Sequence, residues 1–195
     1  MKKRTKRVPY TLDPKGISTL PIEELTAILR GADDLIMSGG RNLLAKILKG
    51  SRQKKLLELK LDQSPVYGYY QDLSLEDVLA RIDWVIVNGY LDIKYDYRLP
   101  LLVYTPEGWE IEKDTYSTEL LRRFDDVLKE TYTKIDMNFL KDMNRQIILL
   151  LLDKIQATED VKYIPLLKAW QEIDYKKVRK RIAQVIFSIE KKHYG

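Results

Sequence analysis

Apolar residues recur at helical spacing along most of the chain, and the first such stretch lies near the N-terminus. Ser18-Thr19 can cap a helix there, and Pro21 suits its first turn. The apolar positions then fall three or four residues apart through about residue 37: Leu25, Ile28, Leu29, Ala32, Leu35 and Ile36. This spacing predicts an amphipathic helix, which Ser38-Gly39-Gly40 ends.

Three further helices are predicted before residue 90. The first runs from about Arg41 to Lys49, and Ser51 is expected to cap the next, which carries leucines inward. Ser74 is expected to cap the most regular helix of the chain, with two acidic residues in its first turn. The apolar face of this last helix consists of Leu75, Val78, Leu79, Ile82, Val85 and Ile86.

After Asn88-Gly89 the apolar period changes from helical to alternating. Residues 91–95 and 102–104 follow the two-residue period of strands, and residues 96–100 between them form a turn candidate. Helices followed by a β-hairpin are typical of a winged helix. The sequence therefore predicts a mainly α fold with a small β-hairpin wing (α+β).

The sequence after Lys113 returns to helical spacing. A connector helix is predicted at about 117–130, and three packed helices follow at about 140–157, 160–172 and 174–192. These elements predict a winged helix followed by an all-helical C-terminal domain. The expected divisions are a flexible basic arm (1–16), a winged-helix domain (17–113), a connector helix and loop (114–139) and a helical domain (140–195).

Composition narrows the possible functions. The 195 residues include no cysteine and one histidine, His193, which excludes thiolate zinc sites and nearly excludes Ser-His-Asp triads. The longest apolar run, residues 147–152, is too short to span a bilayer, and no signal peptide pattern opens the chain. We expect a cytoplasmic, non-enzymatic protein with no cofactor, no metal, no membrane contact and no small-molecule substrate.

The net charge of +5 is unevenly distributed. Residues 1–60 carry 14 basic and 6 acidic side chains, residues 61–130 carry 7 and 15, and residues 131–195 carry 13 and 8. Basic ends around an acidic middle indicate localised anion-binding faces, for which nucleic acid is the commonest partner. The open alternative is that these lysines and arginines only solvate helix surfaces.

Several motifs resemble one family. The string Ser38–Arg52, SGGRNLLAKILKGSR, is similar to the opening of the RQC domain, the winged-helix module of RecQ helicases. Val66-Tyr67-Gly68, Asp72-Leu73-Ser74 and Val85–Leu91 fit the same pattern in order, so the resemblance covers about residues 25–112. More narrowly, the chain resembles the stand-alone bacterial proteins called RQC-minor.

The resemblance implies binding to duplex, forked or junction DNA, association with the nucleoid, a role in DNA repair or replication, and a possible protein partner such as a helicase. The chain has neither a Walker A pattern nor the cysteines of the RecQ zinc subdomain. ATP-driven unwinding and a zinc site are therefore not expected. The competing hypothesis is a protein-interaction adaptor, in which the winged helix and the helical tail dock protein partners.

The strongest candidate DNA site lies in the second and third predicted helices. A capped helix start beside several cations offers backbone donors and positive charge to a run of phosphates. The candidate phosphate contacts are Arg41, Lys46, Lys49, Ser51, Arg52, Lys54 and Lys55. The alternatives are a plain interhelix turn at Gly39-Gly40 and a solvated face at residues 49–55.

In RecQ-type modules the wing carries an aromatic residue that wedges between strands, and Tyr95 and Tyr97, with Arg98 alongside, stand near the corresponding tip. The alternative is that both tyrosines are ordinary strand residues with no role in strand separation. The Ser74-capped helix argues against deep insertion into the major groove, because it bears three acidic residues: Glu76, Asp77 and Asp83. Packing beneath the loop is the favoured role of three further tyrosines: Tyr67, Tyr69 and Tyr70.

The tail contains a weaker resemblance to a HEAT-type repeat over residues 161–170, in which Arg179 is expected to pair with Asp174. Two interpretations of the basic residues in this tail are equally favoured. Either Lys177, Lys180 and Arg181 make a second DNA contact, or they lie on a solvated helix face. A metal-dependent nuclease is the remotest hypothesis, because its candidate carboxylates fit no metal-site spacing and are expected on a solvated strand: Glu107, Glu110, Glu112 and Asp114.

Overall fold

The computed structural model describes residues 7–129 and 136–194. The chain divides into two compact units, Met1–Glu112 and Lys113–Gly195. The first unit ends one residue before the expected limit of the winged-helix domain. Residues 114–129, expected as part of a connector, belong to the second unit, and residues 130–135 of that connector lie outside the described residues.

From residue 7 onward, the first unit has four α-helices ahead of the hairpin, as the apolar spacing predicts. They are α1 (Ile22–Asp33), α2 (Arg41–Lys49), α3 (Lys54–Glu58) and α4 (Leu75–Val87). Their apolar faces form one core with the base of the hairpin, and its most deeply buried members include Ile28, Leu29, Leu44, Leu48, Ile82, Val85 and Leu102. Burial of these faces, and not helix propensity, stabilises elements as short as α2 and α3.

The wing is a two-stranded antiparallel hairpin of β1 (Leu91–Asp96) and β2 (Leu99–Tyr104). Ile93 lies opposite Leu102, and the two-residue turn Tyr97-Arg98 closes the hairpin. The base of β2 is buried while the turn is exposed. The fold is therefore mostly helical with one small hairpin, and the predicted winged-helix architecture is confirmed.

The element after the wing differs from the prediction. A single helix, α5, begins at Pro106 and runs to Lys129, where a strand and then a helix from residue 117 were expected. The Thr105 hydroxyl accepts a hydrogen bond from the Gly108 amide at 3.0 Å, and Pro106 suits the first helical position. At Gly108 a Cβ atom would lie 1.8 Å from the Tyr90 carbonyl oxygen, so only glycine allows this close approach.

The carboxylates expected on a solvated strand are consequently helical, and two of them have close cationic neighbours. Glu112 is buried, with its Oε1 3.9 Å from Arg30 Nε. Asp114 Oδ1 accepts a hydrogen bond from Lys154 Nζ at 2.7 Å within the second unit. The expectation of a solvated acidic strand is wrong, because the helix starts eleven residues before the predicted position.

In the described part of the second unit, three α-helices follow α5, close to the predicted limits. They are α6 (Arg145–Thr158), α7 (Ile164–Ile173) and α8 (Lys176–Tyr194). Side chains from all three form its core, among them Leu151, Leu152, Leu166, Leu167, Trp170, Ile182 and Val185. Within the described parts of both units, no helix is long and apolar enough to cross a membrane.

Candidate nucleic-acid interface

Three cations form an exposed edge at the start of α3. Arg52 and Lys55 are exposed and form no ion pair with any described residue, and Lys54 lies 3.7 Å from Glu58 in a fully solvated i,i+4 pair. Ser51 does not cap α3, which begins at Lys54 with Gln53 as its N-cap and no side-chain cap bond. The five-residue helix therefore contributes little dipole, and the anion-binding capacity of this edge comes from its side-chain charges.

The neighbouring candidates, Lys46, Lys49 and Ser51, form hydrogen bonds around the turn between α2 and α3. Lys46 Nζ donates to Gln53 Oε1 at 2.9 Å, and Lys49 Nζ donates to the Gln71 carbonyl. The Ser51 carbonyl accepts from the Tyr67 hydroxyl at 3.1 Å. Lys46 and Lys49 form no ion pair in the described part of the chain, so their positive charges add to the edge formed by residues 52–55.

Arg41 has a different role from the predicted one. Its Nη1 donates to both carboxylate oxygens of Asp83, at 2.6 and 2.8 Å, and to the Thr11 carbonyl at 2.6 Å. Asp83, expected on an exposed acidic face, is buried, and it also accepts from the Asp13 amide at 2.8 Å. Arg41 is therefore a structural residue that holds α2, α4 and the N-terminal segment together, and the predicted phosphate contact at this position is corrected.

The described part of the predicted arm makes specific contacts, which a free arm would lack. The Val8 amide donates to the Arg98 carbonyl at 2.9 Å, and the Tyr95 hydroxyl donates to the Val8 carbonyl at 2.7 Å. Lys15 pairs with Asp77 at 3.1 Å at the start of α4. Residues 7–16 therefore lie along the wing and α4, and residues 1–6 of the arm lie outside the described residues.

The two candidate wedge tyrosines differ in accessibility. Tyr95 is half-buried, with the Arg7 guanidinium 4.7 Å from its ring centroid. Tyr97 occupies the tip of the wing, where its side chain is 83% exposed and its φ is +55°. Arg98 beside it is exposed. Of the two rings, only Tyr97 is fully presented for stacking on a base.

The start of α4 is acidic, as its sequence indicates. Ser74 caps the helix by accepting from the Asp77 amide at 3.1 Å, which confirms the predicted cap. The Ser74 hydroxyl also donates to Asp77 Oδ2, and this bond together with Lys15 lowers the pKa of the Asp77 carboxyl. A carboxylate kept ionised at this position repels phosphate, so the first turn of α4 is unsuited to DNA.

Trp84 and Tyr70 are buried around α4, as expected for Tyr70, whereas Tyr69 is exposed. Trp84 is buried and stacks on Tyr90, with ring centroids 6.2 Å apart. The buried Tyr70 donates its hydroxyl to Glu24 at 2.8 Å, and Tyr69 packs edge-on against its ring. These rings stabilise the domain, and Trp84 and Tyr70 are inaccessible to DNA.

The three basic candidates of α8, in the second unit, differ in whether they form ion pairs. Arg181 donates to Asp153 and Gln156, both at 2.7 Å, whereas Lys177 and Lys180 are exposed and form no described ion pair. The expected Arg179–Asp174 pair is wrong. Asp174 instead accepts from the Trp170 indole nitrogen at 2.7 Å and from the Tyr175 amide at 2.6 Å.

Sequence reasoning missed a pocket on the flank of the wing, because the lining of this pocket includes the N-terminal residues 8–11. No local signal marks that segment as packed. Within the described ranges, no group of three or more histidine, cysteine, aspartate or glutamate side chains could hold a metal ion.

Helices α1, α2 and α4 beneath a two-stranded wing define a winged-helix protein. The sequence model of the RQC domain matches residues 22–130, more than half of the chain, and the chain therefore belongs to the RQC domain family. In RecQ helicases this winged helix often binds DNA. No curated protein and no solved structure matches the chain. The narrower RQC-minor affiliation and the HEAT-type tail stay predictions.

Proposed function

We propose that the protein is a non-enzymatic DNA-binding module that grips duplex phosphates through the exposed cations at the α2–α3 junction. The observation that carries this proposal is the edge formed by Arg52 and Lys55, which no described carboxylate neutralises. Lys46, Lys49 and Lys54 add charge beside it. Such contacts supply sequence-independent affinity that falls as salt rises.

We further propose that DNA shape, and not base sequence, gives the protein its selectivity. The acidic first turn of α4 disfavours reading of base edges in the major groove, whereas Tyr97 and Arg98 at the wing tip suit a fork, a junction or a duplex end. A protein with this preference would act on the nucleoid during repair or replication, where a helicase is a natural partner. Lys177 and Lys180 would supply a second phosphate contact.

The test is fluorescence anisotropy with duplex, forked and four-way-junction DNA at several salt concentrations. We expect the double variant Arg52→Ala/Lys55→Ala to bind about tenfold more weakly, and its log–log salt slope to fall by about 2, because two phosphate contacts are lost. The matched control is Lys168→Ala/Lys191→Ala, which removes the same charge from exposed positions of the second unit.

Equal affinities and slopes for the two double variants would show that the α2–α3 edge is not the DNA site. Absence of DNA binding by the unmodified protein at low salt would favour the adaptor function instead. The observation behind that second candidate is the exposure of two aromatic side chains in the helical unit, Tyr175 (62%) and Phe187 (67%).

A further inference from the structure

A pocket of about 590 Å³ lies on the flank of the wing, between the starts of α2 and α3 and the first half of β2. Residues 8–11 of the N-terminal segment close one side of it. This volume lies within the range of sites that bind small organic groups. The pocket adjoins both the cationic edge at residues 52–55 and the strand that leads from the wing tip.

The walls of the pocket are mainly apolar. They include the half-exposed ring of Tyr10 and a set of aliphatic side chains from α2 and the wing, namely Leu43, Ile93, Leu99 and Leu101. Pro100 also lines the pocket, close to Gly40, where a Cβ atom would lie 2.8 Å from the Pro100 carbonyl oxygen. Aliphatic walls with an aromatic ring suit a flat, apolar group that enters between them.

The charge around the pocket has one sign. Among the described residues that line it, three are cationic and none is acidic. Asp83 neutralises Arg41, but Lys46 and Lys55 form no described ion pair. The pocket therefore favours a ligand that combines a planar ring with negative charge, which is the composition of a nucleotide.

We propose that this pocket receives one unpaired nucleobase of the bound DNA, while the phosphates flanking that base lie on Lys46 and Lys55. The Gln53 side chain also lines the pocket, where its Nε2 group offers a hydrogen bond to a base edge while its Oε1 accepts from Lys46. The inference rests on the proposed DNA-binding function, and it deepens that function by adding a site for a single unpaired nucleotide to the phosphate contacts.

An abasic scan of forked DNA tests the pocket with the unmodified protein. Each unpaired nucleotide next to the fork is replaced in turn by a tetrahydrofuran abasic analogue, which keeps the phosphates and removes the base. We expect one position on one arm to lower the affinity about tenfold, because stacking and burial of that base are lost. The other positions should change the affinity less than about twofold.

A variant that fills the pocket tests whether the unpaired base binds there. Asn42 is exposed on the first turn of α2, so Asn42→Trp should fill the pocket without disturbing the core. We expect this variant to bind blunt duplex DNA normally and to lose the difference between intact and abasic forks. The matched control is Ala157→Trp, which places the same ring on an exposed position of α6 and should retain the difference.

The outcomes separate this inference from the proposed function. Binding of duplex and forked DNA with a flat abasic scan would overturn the pocket assignment and leave the phosphate site standing. A position-dependent scan that Asn42→Trp leaves unchanged would also overturn it, because the base would then lie elsewhere. Failure of every DNA form to bind at low salt would overturn the proposed function and the pocket together.

Discussion

Arg41 and Asp83 form an ion pair across the first unit, with Arg41 Nη1 2.6 Å from Asp83 Oδ1 and 2.8 Å from Oδ2. The Asp83 carboxylate of α4 is buried, and the Arg41 guanidinium is mostly covered. Burial raises the pKa of Asp83, while the Asp13 amide and the Arg41 charge counteract that rise. This pair fixes the position of the N-terminal segment, because both residues also bind its backbone.

Replacing Arg41 should therefore affect stability. We expect Arg41→Ala to lower the free energy of unfolding by about 3–5 kcal/mol, since it leaves the buried Asp83 carboxylate without its cation. Chemical denaturation measures this change. Arg52→Ala, which removes an exposed cation 11 positions later, should change stability by less than about 0.5 kcal/mol. Similar losses of unfolding free energy in the two variants would mean that the Arg41–Asp83 pair stabilises the fold no more than an exposed cation does.

Tyr97 provides a case in which stability and function should separate. Its φ of +55° is unfavourable for a side chain with a Cβ atom, whereas glycine adopts it freely. We expect Tyr97→Gly to leave the free energy of unfolding unchanged or higher by up to about 1 kcal/mol. The same variant should lose the preference for forked over blunt duplex DNA, because the exposed ring at the wing tip is gone.

Tyr97→Phe is the control for this prediction, because it keeps the ring and removes only the hydroxyl. Thermal unfolding and anisotropy against forked and blunt DNA are measured on the same samples. A fork preference that survives in Tyr97→Gly would assign the selectivity to another part of the protein.

Ser74 links the N-cap of α4 to the titration of Asp77. Loss of the cap in Ser74→Ala should lower the free energy of unfolding by about 1 kcal/mol at neutral pH. The Asp77 carboxyl, whose pKa the Ser74 hydroxyl and Lys15 lower below its usual 3.8, should then titrate at a higher pH. NMR titration of the side-chain carboxyl carbon measures the shift.

The sign of the pH effect follows from the lowered pKa. The stability that Asp77 contributes is present above its ordinary pKa and disappears as the pH falls through the lowered one. The difference between the unmodified protein and Ser74→Ala should therefore shrink in acid. Ser38→Ala, at an exposed serine that caps no helix, should leave the Asp77 pKa unchanged; an equal rise there would contradict the direct link.

The elements of this fold could be predicted because their signals are local. Ser74 caps its helix as expected, and the change to a two-residue period after Asn88 marks the wing. The start of α5 was misplaced although its signal is equally local: Thr105 and Pro106 cap and begin the helix, but the same residues also fit the exit of a strand.

The candidate site was harder to predict because its contacts are distant in sequence. Arg41 has the sequence context of an exposed cation at a helix start, and its partner Asp83 lies 42 residues away. The pocket depends on residues 8–11 packing beside the wing, which no periodicity indicates. By contrast, Arg52 and Lys55 lie at the exposed start of α3, and neither forms an ion pair with a described residue.

The Trp170–Asp174 hydrogen bond gives the sharpest test of the helical unit. Trp170 is fully buried, and its indole nitrogen donates to Asp174 at 2.7 Å. Trp170→Phe should lower the free energy of unfolding by about 2–4 kcal/mol, because it removes a buried donor to a carboxylate and leaves a cavity. Arg179→Ala should cost less than about 0.5 kcal/mol, since Arg179 is exposed and is not the partner of Asp174. Chemical denaturation followed by far-UV circular dichroism compares the two variants. A large loss in Arg179→Ala would restore the HEAT-type pairing that the sequence suggests, whereas a loss confined to Trp170→Phe would show that the indole anchors α7 to the start of α8.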